Sequence, residues 1–230
     1  RQDVWADGSS WARGHWLNGR AALSDLAEVV LSLCNRAGES VDANGLRGAV
    51  SGYVVDAPSS VRNALEPLMA AYGFGVTERN GELVFAHAEP PTAELVSEML
   101  TAMTSGQLLQ GRDAGDAPIE ARVRFIDAAR DYRMASVSAR RLDRADGGVA
   151  TVEAPLVLDG AVAEAIAQRV LAERRAATET LQIGISPHEL AFEPGDRVTF
   201  GADAFEIVRV EDAEARQLEL CRVRANGVAL

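Results

Sequence analysis

The chain has 230 residues, 47% of them hydrophobic and 25% charged, enough to bury a core without disulfide staples. Its formal charge is −11, and all 23 basic side chains are arginines with no run longer than the pairs Arg140-Arg141 and Arg174-Arg175. That balance excludes the clustered positive surface on which sequence-independent nucleic-acid binding is built, and no apolar run approaches the ~18–20 residues of a membrane span.

The first twenty residues hold all three tryptophans, Trp5, Trp11 and Trp16, in the stretch WADGSSWARGHWLNGR. Its glycines and short polar spacers give it no periodic apolar face, so it reads as a connector rather than a helix or strand. Leu23, Leu26, Ala27, Val30, Leu31 and Cys34 then recur at helical spacing, and Ala37-Gly38 ends that helix. GLRGAVSGYVV reads as a linking segment running into a short strand at residues 52–55. A second helix starts in the DAPSS stretch of residues 56–60, with Glu66 as first-turn support, buries Val61, Ala64, Leu65, Leu68 and Met69, and stops at Tyr72-Gly73. In GVTERNGELVFA, Asn80-Gly81 predicts a two-residue type I′ hairpin turn. Pro90-Pro91 then closes a small α+β unit over residues 21–90.

Residues 91–230 read as mainly β. IEARVRFID and RMASVSARRL alternate in polarity, Asp146-Gly147-Gly148 makes a tight turn, and VATVEAPLVL follows as a strand ending at Pro155. One helix, capped by Asp159 and running to about residue 177, interrupts the strands. TETLQIGI, DRVTFG, AFEIVRVED and RQLELCRVRA add four more, with Pro194-Gly195-Asp196 as a turn. About seven short antiparallel strands around one helix predict a closed barrel or a sandwich. The fold class is therefore α+β: a Trp/Gly-rich connector (1–20), a small α+β domain (21–90) and a β-barrel domain with one inserted helix (91–230).

Nothing in the chain has the spacing of a catalytic, cofactor or metal site. His15, His87 and His188 stand apart from one another and from Cys34 and Cys221, so no zinc pattern forms, and the two cysteines read as buried thiols. Gly45-Leu46-Arg47-Gly48 and Gly73-Phe74-Gly75 do not lead from a strand into a helix as a phosphate loop must. Glu211, Asp212 and Glu214 fall in a surface turn, without the apolar setting that raises a general acid's pKa. Catalytic, cofactor-binding and metal residues are accordingly expected to be none.

GHWLNGR followed by a helix, GYVVDAPSSVRNALEPLMAAYGFGVTERNGELVF, VRFIDAARDYRMASVSARR and AFEPGDRVTF occur in that order. Together they resemble the large multidomain baseplate ("megatron") proteins of gene transfer agents, a family grouped with phage putative tail and hub proteins. An opening Arg in place of Met agrees with an internal segment of such a longer chain.

The resemblance implies a tail-tube-like barrel, a trimeric hub around a DNA conduit, and no enzymatic activity. The implied partners are two further copies of the chain, the tail tube, the distal tail ring and other baseplate proteins. DNA would pass without specific binding, and the module would sit in the tail of a virion-like particle assembled in the bacterial cytoplasm. On this reading Trp5, Trp11, His15 and Trp16 are interface residues that dock against a neighbouring domain. Arg122, Arg124, Arg140 and Arg141 should pair with Asp or Glu of neighbouring strands or subunits rather than line the channel. The alternative is a glycan-binding or wall-degrading module, with the tryptophans as a sugar-stacking platform.

Overall fold

The computed structural model describes residues 23–55, 60–79, 81–100, 108–111, 117–143, 146–212 and 215–224. Among them are three α-helices and fourteen strands. The three helices match the three read from periodicity, although the first starts at Leu26 and leaves Leu23 outside it and exposed. Helix α1 (Leu26–Arg36) starts at Asp25, whose carboxylate accepts from the Ala27 N–H, and buries Leu26, Val30 and Cys34. Helix α2 (Val61–Tyr72) starts at Ser60 and ends at Gly73, whose φ of +69° is the left-handed cap that glycine adopts without strain. Glu66 lies beyond the first turn and pairs instead with Arg62, one turn back on the exposed face. Helix α3 (Gly160–Ala176) is capped by Asp159 on the Ala161 N–H at 2.8 Å.

Around α1 and α2 lie two small sheets. Strands β1 (Ser24–Asp25) and β3 (Ala49–Val50) pair antiparallel. Strand β2 (Val41–Gly45), in a stretch with no strand signal, runs parallel to β5 (Glu82–His87). β5 pairs in turn with β4 (Phe74–Arg79), and the register Arg79↔Glu82 leaves the two-residue turn read from Asn80-Gly81. Gly81 has φ +79°; the conformation of Asn80, which decides the turn type, lies outside the described residues.

Strands β6 (Ala93–Glu94) and β7 (Leu108–Gly111) come next, and then β8 (Glu120–Asp127), β9 (Arg133–Arg140) and β10 (Val149–Leu158) form a three-stranded sheet. Its order is β10-β8-β9, and β10 runs parallel to β8. The all-antiparallel expectation fails here because Asp146-Gly147-Gly148 does not close a hairpin. It carries the chain past the start of β8, where Ile119 N–H donates to Gly148 and Arg141 N–H donates to Ile119. β10 also runs three residues beyond Pro155. The proline sits where the ladder to β8 is irregular, between Glu153 and Val157, and its carbonyl accepts from Val54 on the open side. A residue with no N–H to donate is tolerated at such a position.

The remaining strands are β11 (Glu179–Ile185), β12 (Arg197–Phe200), β13 (Asp203–Asp212) and β14 (Arg216–Val223). They form a six-stranded sheet in the order β6-β12-β13-β14-β11-β7. The expected barrel is not closed by any sheet among the described residues. β6 pairs with β12 over two residues only, and the chain then leaves the ladder in a 3-10 turn at Ser97–Met99 before Leu100 bridges Ile185. The sheet is thus mixed and open, its two edges supplied by one stretch of chain between residues 93 and 111.

Buried side chains fall into two clusters. The first joins Leu26, Val30, Leu68 and Phe85 to Val123, Phe125, Leu156 and Ile166, so the three helices and the β8–β10 sheet share one core. The second is the inner face of the six-stranded sheet, with Ile183, Ile185, Ile207, Leu218 and Leu220. Pro90-Pro91 does not separate them, since residues from Ala121 to Leu171 belong to the first.

Candidate functional site

Trp5, Trp11, His15 and Trp16, the interface candidates, lie outside the described residues. The surface that the structure does lay out is the outer face of the β10-β8-β9 sheet. Strict alternation along β8 sends Ala121, Val123, Phe125 and Asp127 inward, where Ala121, Val123 and Phe125 are at most 1% exposed. Burying a side chain such as Val123 or Phe125 contributes about 1.5–3 kcal/mol, so the register cannot slip by one residue without inverting both faces. That register turns Glu120, Arg122 and Arg124 outward. Across the ladder they meet Arg140, Ser138 and Ser136 of β9 on one side and Val149, Thr151 and Glu153 of β10 on the other.

Three of the four arginines expected to pair, Arg122, Arg124 and Arg141, do so within the chain. Arg122 donates to Glu120 at 2.8 Å, and Arg124 donates to Glu153 on the neighbouring strand at 3.1 Å. Arg141 holds Asp143 in a bidentate contact, 2.9 Å from Nε and 2.6 Å from Nη2. That contact pulls the Asp143 carboxyl down to about 2, the hydrogen bond from Arg141 being the main cause. Arg140 stands directly across from Glu120. Cross-strand pairs of opposite charge contribute roughly 0.2–1 kcal/mol each, so their main effect is to set the charge pattern of the face rather than to hold the sheet together.

Other charged groups are spent on holding the chain in place. Arg216 is 8% exposed and donates to the Glu189 and Phe192 carbonyls at 2.9 Å each, fixing the loop between β11 and β12. Arg222 joins Glu179 to Asp203. Arg169 of α3 donates to the Ala70 and Ala71 carbonyls at the end of α2. His87 Nε2 lies 3.0 Å from the Arg47 nitrogen and 2.8 Å from its carbonyl oxygen, pinning the loop after β2. His188 is exposed, Cys34 is buried and Cys221 is half-buried. Glu211 and Asp212 end β13 and pair with Arg209 and Arg216. Among the described residues no group of three His, Cys, Asp or Glu side chains could hold a metal ion, and no helix is long and apolar enough to cross a membrane.

These arrangements position backbone and neutralise charge. The likeness to known proteins agrees with that. A chain of the virion of a native gene transfer agent particle is 34% identical, over 97% of this chain and 53% of that one, with a TM-score of 0.82. This chain thus spans about half the length of that relative. Two solved structures share the fold at lower identity. The tail protein from Neisseria meningitidis MC58 is 18% identical over 89% of this chain and 69% of its own, with a TM-score of 0.58. The 43 kDa tail protein of prophage MuSo2 from Shewanella oneidensis is 12% identical over 88% and 64%, also with a TM-score of 0.58. No curated protein matches. The family model described as a putative phage tail protein covers residues 60–215, from the cap of α2 to the last hairpin. The chain belongs to the family of putative phage tail proteins.

Proposed function

We propose that this chain is a non-enzymatic structural module of the baseplate hub of a tail-like particle, joining the tail tube to the cell-contacting tip. In this reading three copies surround the conduit through which DNA leaves, bound to the tail tube, the distal tail ring and other baseplate proteins. The particle is assembled in the bacterial cytoplasm, and the module stays in its tail. What carries the reading is the collinear likeness, over 97% of the chain, to a component of a gene transfer agent virion.

The electrostatics support it. A free basic wall would bind the phosphate backbone through counterion release and hold back the passing duplex. Here Arg122, Arg124 and Arg141 are each neutralised by a carboxylate of the same chain, and the whole chain carries −11. Such a wall repels DNA weakly, over a screening length of about 8 Å at physiological salt. The test is duplex binding by the purified protein at low salt. The reading expects no binding below about 10 μM; sub-micromolar binding that falls steeply with salt would overturn it.

A further inference from the structure

Between the two cores lies a cleft of about 410 Å³, walled by the β4–β5 hairpin, the end of α2, Glu173 of α3 and the start of β12. Among the described residues no buried side chain belongs to both clusters on its two sides. Two close contacts cross it. Arg79 Nη2 lies 3.6 Å from Asp196 Oδ1, and both side chains reach solvent, at 54% and 28% exposure. Gly195 lies against Thr77 so closely that a Cβ there would come within 2.6 Å of the Thr77 methyl. The end of α3 also meets β14, where Cys221 Sγ approaches the Ala177 carbonyl oxygen at 3.7 Å. The connection from β5 to β6, residues 88–92, runs along the cleft itself, and α3 leads into β11 through Ala177-Thr178. Bodies with separate cores move relative to one another by default unless a large apolar interface joins them.

We propose that this cleft is a hinge, in which the six-stranded sheet rocks against the helical body about the α3–β14 contact, and that Arg79–Asp196 with Thr77–Gly195 is the latch that holds it closed. The device goes beyond the hub assignment and stands without it, because it needs only one copy of the chain. Asp196 is held ready for the latch: its Oδ2 accepts from the Glu193 N–H at 2.9 Å, leaving Oδ1 to face Arg79. Gly195 is suited to the closed contact on two counts, its φ of +93° and the absence of a Cβ.

The experiment is a distance measurement between spin labels carried on genetically encoded side chains at the exposed positions Glu82 and Glu193 of the full chain, which leaves Cys34 and Cys221 untouched. An exposed ion pair of this kind is expected to bias the equilibrium about two- to fivefold. Arg79→Gln, and 1 M salt on the wild type, should therefore raise the longer-distance population relative to the shorter by that factor, while Arg79→Lys keeps most of the closed state. A single narrow distance, the same in wild type, in Arg79→Gln and in 1 M salt, would overturn the hinge.

Discussion

Arg169 offers the sharpest quantitative test of how the helical body is held together. Its guanidinium comes from α3, is 12% exposed, and donates to the Ala70 and Ala71 carbonyls at the C-terminus of α2. These are among the carbonyls a helix end leaves without intrahelical partners. Each charge-assisted donation contributes about 1.5–3 kcal/mol, so the two together oppose unfolding by about 3–6 kcal/mol gross. Against this stands the cost of burying a guanidinium whose Nε and Nη1 make no hydrogen bond, eased only by Glu173 at 3.5 Å. Burial accordingly works against its charge, and the Glu173 carboxylate partly restores it. Arg169→Met, which keeps the stem but removes the donors, should cost about 2–3 kcal/mol. For a chain of this size that lowers Tm by roughly 5–10 °C.

Gly73 supplies the coupled half of the cycle. At φ +69° an alanine is strained by about 1–2 kcal/mol, and its Cβ would sit 2.6 Å from Arg169 Nη1, forcing the guanidinium off its carbonyls. Gly73→Ala should therefore cost about 1 kcal/mol more in wild type than in the Arg169→Met background, where only backbone strain remains. Urea denaturation of the four proteins reads all these values. A loss below about 0.5 kcal/mol for Arg169→Met, or an identical Gly73→Ala cost in both backgrounds, would refute the argument.

The Asp143 carboxyl should titrate near 2 by NMR in the folded protein and move back toward 3.8 in Arg141→Gln. Because the folded value is depressed, the stabilisation from this pair is full above the unfolded pKa and is lost as pH falls from about 4 to 2. Tyr72 behaves in the opposite sense: burial lifts its hydroxyl from 10 to about 12. Stability should therefore fall as pH rises from 10 to 12, and Tyr72→Phe should flatten that part of the profile at the cost of the 2.9 Å bond to the Ala49 carbonyl. Limited proteolysis is expected to nick between residues 88 and 118, near the prolines and glycines of that stretch. The fragments should still co-elute, because Leu68 and Phe85 share a core with Val123 and Ile166; fragments that separate in native buffer would contradict that shared core. If residues 1–20 are a docking connector, tryptophan emission should be red-shifted and easily quenched in the isolated chain and blue-shifted in the assembled particle. A blue shift on adding oligosaccharide to the isolated chain would favour the sugar platform instead.

Much of the secondary structure was legible because local signals agreed with one another. The DAPSS stretch ending at Ser60 and Asp159 each start a helix whose apolar spacing follows at once, and Asn80-Gly81 sits between two alternating runs. Pairing was less legible, since alternation shows that a strand has two faces but not which strand lies beside it. VATVEAPLVL could have followed RMASVSARRL as a hairpin. The chain instead crosses under β8, and Gly147 makes room by lying where a Cβ would meet Ile119 at 2.6 Å. β2 was hidden because VDANG is polar and turn-like, its strand character coming only from the parallel ladder with β5. The open sheet among the described residues was hard to read for a related reason: its edge strand β6 has two residues, too short for any periodic signal. At the arginine-bearing face alternation along β8 puts Arg122 and Arg124 on one side with Glu120, but only Arg124 pairs as expected with a neighbouring strand, through Glu153. Arg122 and Arg141 pair with carboxylates two residues away in sequence, and Arg140 only faces Glu120 across the ladder. The latch Arg79–Asp196 joins residues over a hundred positions apart, which no local pattern announces.

We propose that this chain builds the hub of a tail. Electron cryomicroscopy of the intact particle that carries it tests that most directly. The account predicts three copies in a ring between the tail tube and the tip, with Arg122 and Arg124 still paired to Glu120 and Glu153 and no ring of free arginines toward the DNA. Density for the chain outside the tail axis, a copy number other than three, or a channel lined by those arginines unpaired would contradict it.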